Sequence, residues 1–309
     1  MTGGGRRFDR THRPGQRGED TRPPQRRNND RPASTPQGDR PPLRRDPRPA
    51  PGPAIPRIAE TALYGRHAVL ESLRAGRRGF RRLWLAEGGR DAPILREIID
   101  AAKAANVPNQ TAPRESFDAI SLHAQGVALE TGDYPYAAID DMLALAASRV
   151  EKPLVLILDT LQDPQNLGSL IRTADAVSAH GVVIPDRRSA AVTPAVVNAS
   201  AGAVEHLLVA QVVNLAREID ALKKRDVWVA ALQDDPRATD LYATDLRGGL
   251  ALIVGNEAEG VGRLLRDKAD YLVKLPMRGK IASLNAAAAG TVALYEVLRQ
   301  RTGPRTADR

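Results

Sequence analysis

Three short segments of this sequence carry side chains whose types and spacing suit ligand chemistry. The first runs from Asp159 to Asp175. Asp163 before Pro164 reads as a helix N-cap with proline at the first helical position. Asn166 then falls in the first turn, where its amide can face a ligand at the helix start. Arg172 lies one turn beyond Gly168, whose missing side chain leaves room for a bulky partner beside the guanidinium. Each has a plainer reading when taken alone. Asn166 would simply cap its helix, and Arg172 would pair with Asp175 three residues on.

The second segment is Gly255-Asn256-Glu257-Ala258-Glu259-Gly260, directly after an apolar Leu-Ile-Val run. Glycines allow a tight turn and close backbone approach to a ligand. A carboxylate here suits a cation or a ligand donor. No Lys-Ser/Thr follows, and the acids would repel phosphate, so this is no phosphate cradle. The glycine fingerprint of dinucleotide binding is also absent, which disfavours a nucleotide-dependent oxidoreductase. The third segment is Leu275-Pro276-Met277 through Ser283-Leu284-Asn285. Ser283 reads as an N-cap, which would put Asn285 at the second helical position. Ala286 to Gly290 give the following helix a face with little bulk, open to another backbone or a ligand.

All three segments must be held at strand ends. Leu154–Leu158, Gly181–Ile184, His206–Ala210, Val227–Leu232, Leu250–Val254 and Tyr271–Leu275 read as strands. Helices are expected over 167–177, 194–201, 215–224, 261–268 and 284–301. Continuous apolar strands alternating with amphipathic helices predict a parallel sheet covered on both faces. Ligands of such sheets bind beyond the carboxyl ends of the strands. A smaller α/β unit precedes it, with strands at 80–86, 107–110 and 127–129 and helices at 67–73, 94–105 and 114–120. The boundaries read from this pattern are a tail at 1–57, a small domain at 58–134, a linker at 135–150 and the larger domain at 151–309.

Composition narrows the chemistry further. The 309 residues include no cysteine and five histidines, which excludes thiolate metal ligands, a thiol nucleophile and a disulfide scaffold. No His-x-x-x-His pair is present, so no metal site is expected. No apolar run approaches the roughly 18 residues of a membrane span, and no secretory signal opens the chain, so a cytoplasmic protein is expected. Residues 1–57 hold 14 Arg, no Lys and 6 acids, a net +8 that equals the charge of the whole chain. With 12 of the 23 prolines and few large apolar residues, this tail reads as disordered. Such an arm either attracts polyanions or serves solubility.

Together the three segments resemble the SpoU (TrmH-type) family of RNA ribose 2′-O-methyltransferases. The resemblance rests on Asn166-x-Gly168 with Arg172, then Gly255-x-Glu257-x-x-Gly260, then Leu275-Pro276-Met277 with Ser283-Leu284-Asn285, and covers about residues 151–302. The small unit resembles the family's RNA-binding domain, similar to a small ribosomal-protein fold, through Leu63-Tyr64-Gly65-Arg66-His67-Ala68-Val69 and His123-Ala124-Gln125-Gly126-Val127. The family implies a deep C-terminal trefoil knot (the SPOUT fold), a homodimer and S-adenosylmethionine as cofactor. By its pattern Gly255, Leu275 and Leu284 hold the cofactor, while Asn166, Arg172, Glu257, Ser283 and Asn285 surround the reacting ribose. The family often has a second Ser two residues after Ser-Leu-Asn. Here that position is Ala287, so no second hydroxyl is expected.

The resemblance implies methyl transfer to a ribose 2′-hydroxyl, with a guanosine of 23S rRNA or a ribosomal precursor as target. Two rivals stay open. A tRNA substrate is one, although the extra N-terminal domain favours rRNA by analogy. A non-catalytic RNA-binding ribosome-assembly factor is the other, against which the complete set of motif residues argues. Arg172 is expected to act electrostatically, because a guanidinium keeps its proton and supplies almost no free base at neutral pH.

Overall fold

A computed structural model describes residues 57–88, 92–256, 258–280 and 283–303. The expectations for the basic tail up to residue 56, and for Glu257, lie outside the described residues.

The first elements are β1 (Leu63–Tyr64), α1 (Arg66–Ala75), β2 (Phe80–Ala86), α2 (Pro93–Ala104), β3 (Asn109–Ala112), α3 (Arg114–Asp118) and β4 (Val127–Thr131). They build a four-stranded sheet in the order β1-β4-β2-β3. The β1–β4 and β2–β4 pairs are antiparallel and β2–β3 is parallel. Helix α4 (Ile139–Ser148) follows, in the stretch expected to connect the two units.

The remaining elements are β5 (Leu154–Leu158), α5 (Pro164–Ala176), β6 (Gly181–Pro185), α6 (Pro194–Ala199), β7 (Val209–Val212), α7 (Leu215–Lys223), β8 (Trp228–Leu232), β9 (Thr239–Asp240), β10 (Leu250–Val254), α8 (Arg263–Lys268), β11 (Tyr271–Lys274) and α9 (Ala286–Thr302). Seven strands pair in the order β7-β6-β5-β10-β8-β11-β9, every pair parallel. This is the parallel α/β sheet expected from the apolar runs. β5 and β10 are buried at every position, which is why neither alternates. Each buried Leu, Ile or Val of these strands contributes about 1.5–3 kcal/mol.

The two units meet over a buried polar seam. The Arg78 guanidinium makes a bidentate pair with Glu205, at 2.6 and 3.1 Å, and the two side chains are 5% and 0% exposed. The Tyr134 ring lies 4.7 Å below the Arg78 guanidinium and its hydroxyl donates to the Val204 carbonyl. Burial pushes the Tyr134 hydroxyl pKa up to about 12. Asn198 Nδ2 donates to the Tyr64 carbonyl, and His206 pairs with Glu71.

Three local expectations need correction. Gly168 does not make room beside Arg172: a Cβ there would sit 2.5 Å from that of Ala199, so the glycine lets α6 pack against α5. Asp175 forms no ion pair with Arg172 and instead faces His206 and Glu71 electrostatically. The strand expected from His206 begins at Val209, because residues 203–205 form a short 3-10 turn that carries Glu205 into the seam.

Candidate active site

The carboxyl ends of β8, β10 and β11 line one cavity, and the segment after β5 lines a second that adjoins it. At β5 the chain turns through Thr160, which adopts a left-handed φ of 55°, and enters α5. Asp163 caps α5 as expected, accepting from the Gln165 N–H at 2.9 Å, with Pro164 in the first turn. This places Asn166 in the first turn, nearly buried.

At β10 the chain makes a tight return from Gly255 to Gly260. A Cβ on Gly255 would lie 2.1 Å from the backbone C and O of Gly260, so no other residue fits without moving the turn. Asn256 holds the return together. Its Oδ1 accepts from the N–H groups of Ala258 and Glu259, and its Nδ2 donates to Thr160 Oγ1 at 2.9 Å. Two further groups clamp the same return. Gln233 Oε1, at the end of β8, accepts from the Val261 N–H, and Asp159 Oδ2 accepts from the Gly262 N–H, both at 2.8 Å. Burial raises the Asp159 carboxyl pKa, against the Gly262 hydrogen bond and with help from Glu259.

At the third segment Asn285, not Ser283, is the N-cap. Its Oδ1 accepts from the N–H groups of Ala287 and Ala288, and α9 begins at Ala286. Both residue types cap well, and the helix starts two residues later than Ser283 would allow. Asn285 Nδ2 donates to Asn166 Oδ1 at 3.0 Å, which joins the first and third segments. The small face of α9 meets side chains rather than another backbone, and opens in part onto a cavity. Gly290 packs on Leu170 and Val254, while Ala286 and Ala289 line a cavity.

That cavity, of about 340 Å³, brings together Gly255, Leu275, Ser283 and Leu284. Val254, Leu232 and Leu275 give it an apolar wall, and Gln233, Asp234, Glu259 and Lys274 give it polar edges. Leu284 and Met277 are 44% and 40% exposed, so apolar surface at its mouth has no protein cover. A second cavity, of about 480 Å³, is lined by Asn166, Asp163, Thr160 and Arg188. The two share Asn256, Ala258 and Glu259. Arg172 lines neither. It stands exposed on α5, with no ion pair among the described residues.

Sequence reading missed Asn256, Gln233, Asp159 and Arg188. A signal existed for Asn256, since an Asn opening a glycine-bounded turn commonly accepts from backbone two residues on. Arg188 also follows a strand end, β6, but no motif surrounds it. Gln233 and Asp159 act through residues 28 and 103 positions away, which no local pattern reveals.

An apolar slot floored by a glycine return, with polar edges and a second cavity beside it, defines a parallel α/β protein built to hold a small cofactor against a larger substrate. Residues 153–295 match the SpoU rRNA Methylase family, and residues 62–137 match the RNA 2′-O ribose methyltransferase substrate-binding domain. A TrmH family tRNA/rRNA methyltransferase by name, YacO of Bacillus subtilis, is 43% identical over 77% of this chain and 95% of its own length. The crystal structure of the SpoU methyltransferase AviRb from Streptomyces viridochromogenes is similar, with a TM-score of 0.66 at 26% identity, over 80% of this chain and 92% of that one. A structure of AviRb in complex with AdoMet has a TM-score of 0.68 at 24% identity, over 79% and 91% of the two chains. The chain belongs to the SpoU (TrmH) family of RNA methyltransferases.

Proposed function

We propose that this protein transfers a methyl group from S-adenosylmethionine to the ribose 2′-hydroxyl of a guanosine in 23S rRNA, acting as a cytoplasmic homodimer. The observation that carries this reading is the pair of adjoining cavities at the strand ends. The Gly255 return, Leu275 and Leu284 would hold the cofactor. The uncovered apolar surface of Leu284 and Met277 suits an adenine ring, and the carboxylates of Asp234 and Glu259 suit a cationic amino-acid portion. When bound, this cofactor supplies an already activated methyl on a sulfonium.

The chain's own residues then have to orient the ribose and ease loss of the 2′-proton. Asn166 and Asn285, bonded to one another, present a fixed polar edge beside the second cavity. Fixed alignment of reacting groups lowers a barrier by up to about 7–11 kcal/mol in the best cases. Ser283 lines the cofactor cavity and offers a hydroxyl to the ribose. Arg188, which lines the second cavity, would grip an adjoining phosphate. Glu257 is kept in the set on the strength of the family pattern. Arg172, exposed on α5, would act electrostatically on developing charge at the 2′-oxygen.

Homodimerisation is supported by the surface around Arg172. Helices α5 and α9 pack together through Thr173 and Thr291 at 3.0 Å, and α9 leaves Val292 and Tyr295 exposed. A partner seated there would cover this apolar surface and bring Arg172 to a site. In this reading residues 58–134 bind RNA, 135–150 link, and 151–309 catalyse with the C-terminal chain threaded as a trefoil knot. No described helix is long and apolar enough to cross a membrane.

The test is transfer of labelled methyl from S-adenosylmethionine to unmodified 23S rRNA and, in parallel, to unmodified tRNA. Label in the rRNA supports the proposal. Label in tRNA alone keeps the chemistry and overturns the substrate. No label, with no cofactor binding by calorimetry, favours an assembly factor.

A further inference from the structure

Segment 194–205, which holds α6 and the 3-10 turn after it, lies between the small unit and α5. On one side Asn198 Nδ2 donates to the Tyr64 carbonyl at 3.2 Å, and Glu205 accepts both arms of the Arg78 guanidinium. Gly202, at a φ of 88°, meets α1 so closely that a Cβ would sit 2.5 Å from that of Glu71. On the other side Ala199 fills the space left by Gly168 of α5. Asn166 stands two residues before that glycine, in the first turn of the same helix. A continuous packed path therefore joins the small unit to the Asn166 edge.

The chain that crosses between the units is tied down as well. The Tyr134 hydroxyl donates to the Val204 carbonyl, and Tyr136 Oη accepts from the Val192 N–H at 3.0 Å. The Ala137 N–H donates to the Val209 carbonyl at 2.8 Å. Arg77 spans the crossing by donating to the Leu207 and Pro135 carbonyls. The crossing thus begins without a free hinge. The kind of contact at its centre also matters. A buried ion pair is a poor source of stability, because desolvation of two charges offsets most of their attraction and apolar residues of similar size would serve. It is a good source of geometry, because the planar fork of Arg78 meets the Glu205 carboxylate in one orientation. The Tyr134 ring, 4.7 Å from the guanidinium, holds that fork from its face.

We infer that Arg78, Glu205 and Tyr134 are positioning residues that determine specificity: they lock the substrate-binding unit at one distance from the Asn166 edge, so that the target ribose is chosen by a fixed span and not by domain closure. The inference rests on the RNA methyltransferase reading above, with RNA held by the unit that matches the substrate-binding domain. An RNA gripped there presents one ribose to the second cavity, and its neighbours fall short or overshoot. A misplacement of about 1 Å at a reacting centre costs about a hundredfold in rate, so a rigid span discriminates sharply.

The test uses the full chain, which has no cysteine, so Arg96→Cys in α2 and Lys224→Cys after α7, both exposed, accept spin labels at those sites alone. Pulsed dipolar spectroscopy should give one narrow distance between them, unmoved by an unmodified 23S rRNA transcript. Arg78→Lys with Tyr134→Phe keeps a charge beside Glu205 and removes the planar fork and the hydroxyl link. This variant should broaden the distance. It should also lower kcat about tenfold, with the KM for the transcript and the S-adenosylmethionine affinity unchanged, and spread the methyl to riboses beside the wild-type target. Gly202→Ala, which drives a wedge against Glu71, should do the same and serves if the first variant fails to fold. A broad or RNA-shifted distance in the wild type would overturn the inference. So would a variant whose distance stays narrow, or one whose distance broadens while kcat and target stay fixed. Should the wild-type chain transfer no methyl to RNA, the functional reading fails, and the label distances still decide the lock.

Discussion

Asn285 Nδ2 donates to Asn166 Oδ1 at 3.0 Å, across 119 residues of chain. The orientation of the Asn285 amide is set by its other end. Oδ1 takes the first N–H groups of α9, so Nδ2 must face Asn166. One side chain thus caps a helix and fixes the polar edge at which the ribose is proposed to sit.

The two roles of Asn285 separate by substitution. Asn285→Asp keeps an acceptor for the cap and removes the donor to Asn166. It should melt close to wild type and lose at least about a hundredfold in methyl transfer. Asn285→Ala should lose both, with a stability cost of about 1 kcal/mol from the cap. Thermal melts and turnover on one RNA check this. Full activity in Asn285→Asp would remove the amide from the site.

Gly255→Ala probes the cofactor slot. Its Cβ would lie 2.1 Å from the Gly260 carbonyl group, so the return must move. Calorimetry should show S-adenosylmethionine affinity lowered more than about tenfold, with RNA affinity retained. Unchanged cofactor affinity would place the cofactor elsewhere.

The strand frame was legible because β5 and β10 are continuous apolar runs with clear ends, and their bounds read from sequence are those observed. β1 and β9 escaped notice. Each has two residues and exists only through pairing with distant strands. The choice between Ser283 and Asn285 as cap was not local either, since both types suit the position and the contact with Asn166 decides it. Gly168 misled for the same reason. Its missing side chain was evident, but the neighbour that needs the space, Ala199, lies 31 residues away.

Arg172 is exposed and forms no hydrogen bond or ion pair among the described residues, so Arg172→Lys should leave the melting behaviour within about 0.5 kcal/mol of wild type. Turnover should fall steeply, because an ammonium does not reproduce a planar guanidinium. Near-normal turnover at neutral pH would contradict an essential guanidinium.

The seam between the two units sets a large stability term. Arg78→Met leaves the Glu205 carboxylate buried without its partner and should cost about 3–5 kcal/mol. The double variant Arg78→Met with Glu205→Leu should recover most of that loss. A denaturant series on the three proteins measures it, and an undiminished midpoint in Arg78→Met would contradict the seam.

His180 predicts a pH dependence of stability. Its Nδ1 accepts from the Leu154 N–H, so the folded ring is neutral, with Nε2 toward Glu151. Burial lowers its pKa, and the Glu151 carboxylate only partly offsets this. The unfolded ring titrates near about 6.5. Stability from this group is therefore complete above that pH and declines as pH falls from there through the lowered folded value. Urea midpoints between pH 8 and pH 5 should drop, with a shallower slope in His180→Gln. An equal slope in both proteins would assign the loss to other groups.

The most direct test of the central claim is to map the methyl group on unmodified 23S rRNA after reaction with S-adenosylmethionine. The account predicts a single guanosine whose 3′ phosphodiester resists alkaline cleavage, the mark of a blocked 2′-oxygen. It also predicts that the mark disappears when Asn285→Asp replaces the wild-type protein. A methyl on a base, or a mark that persists in that variant, would contradict it.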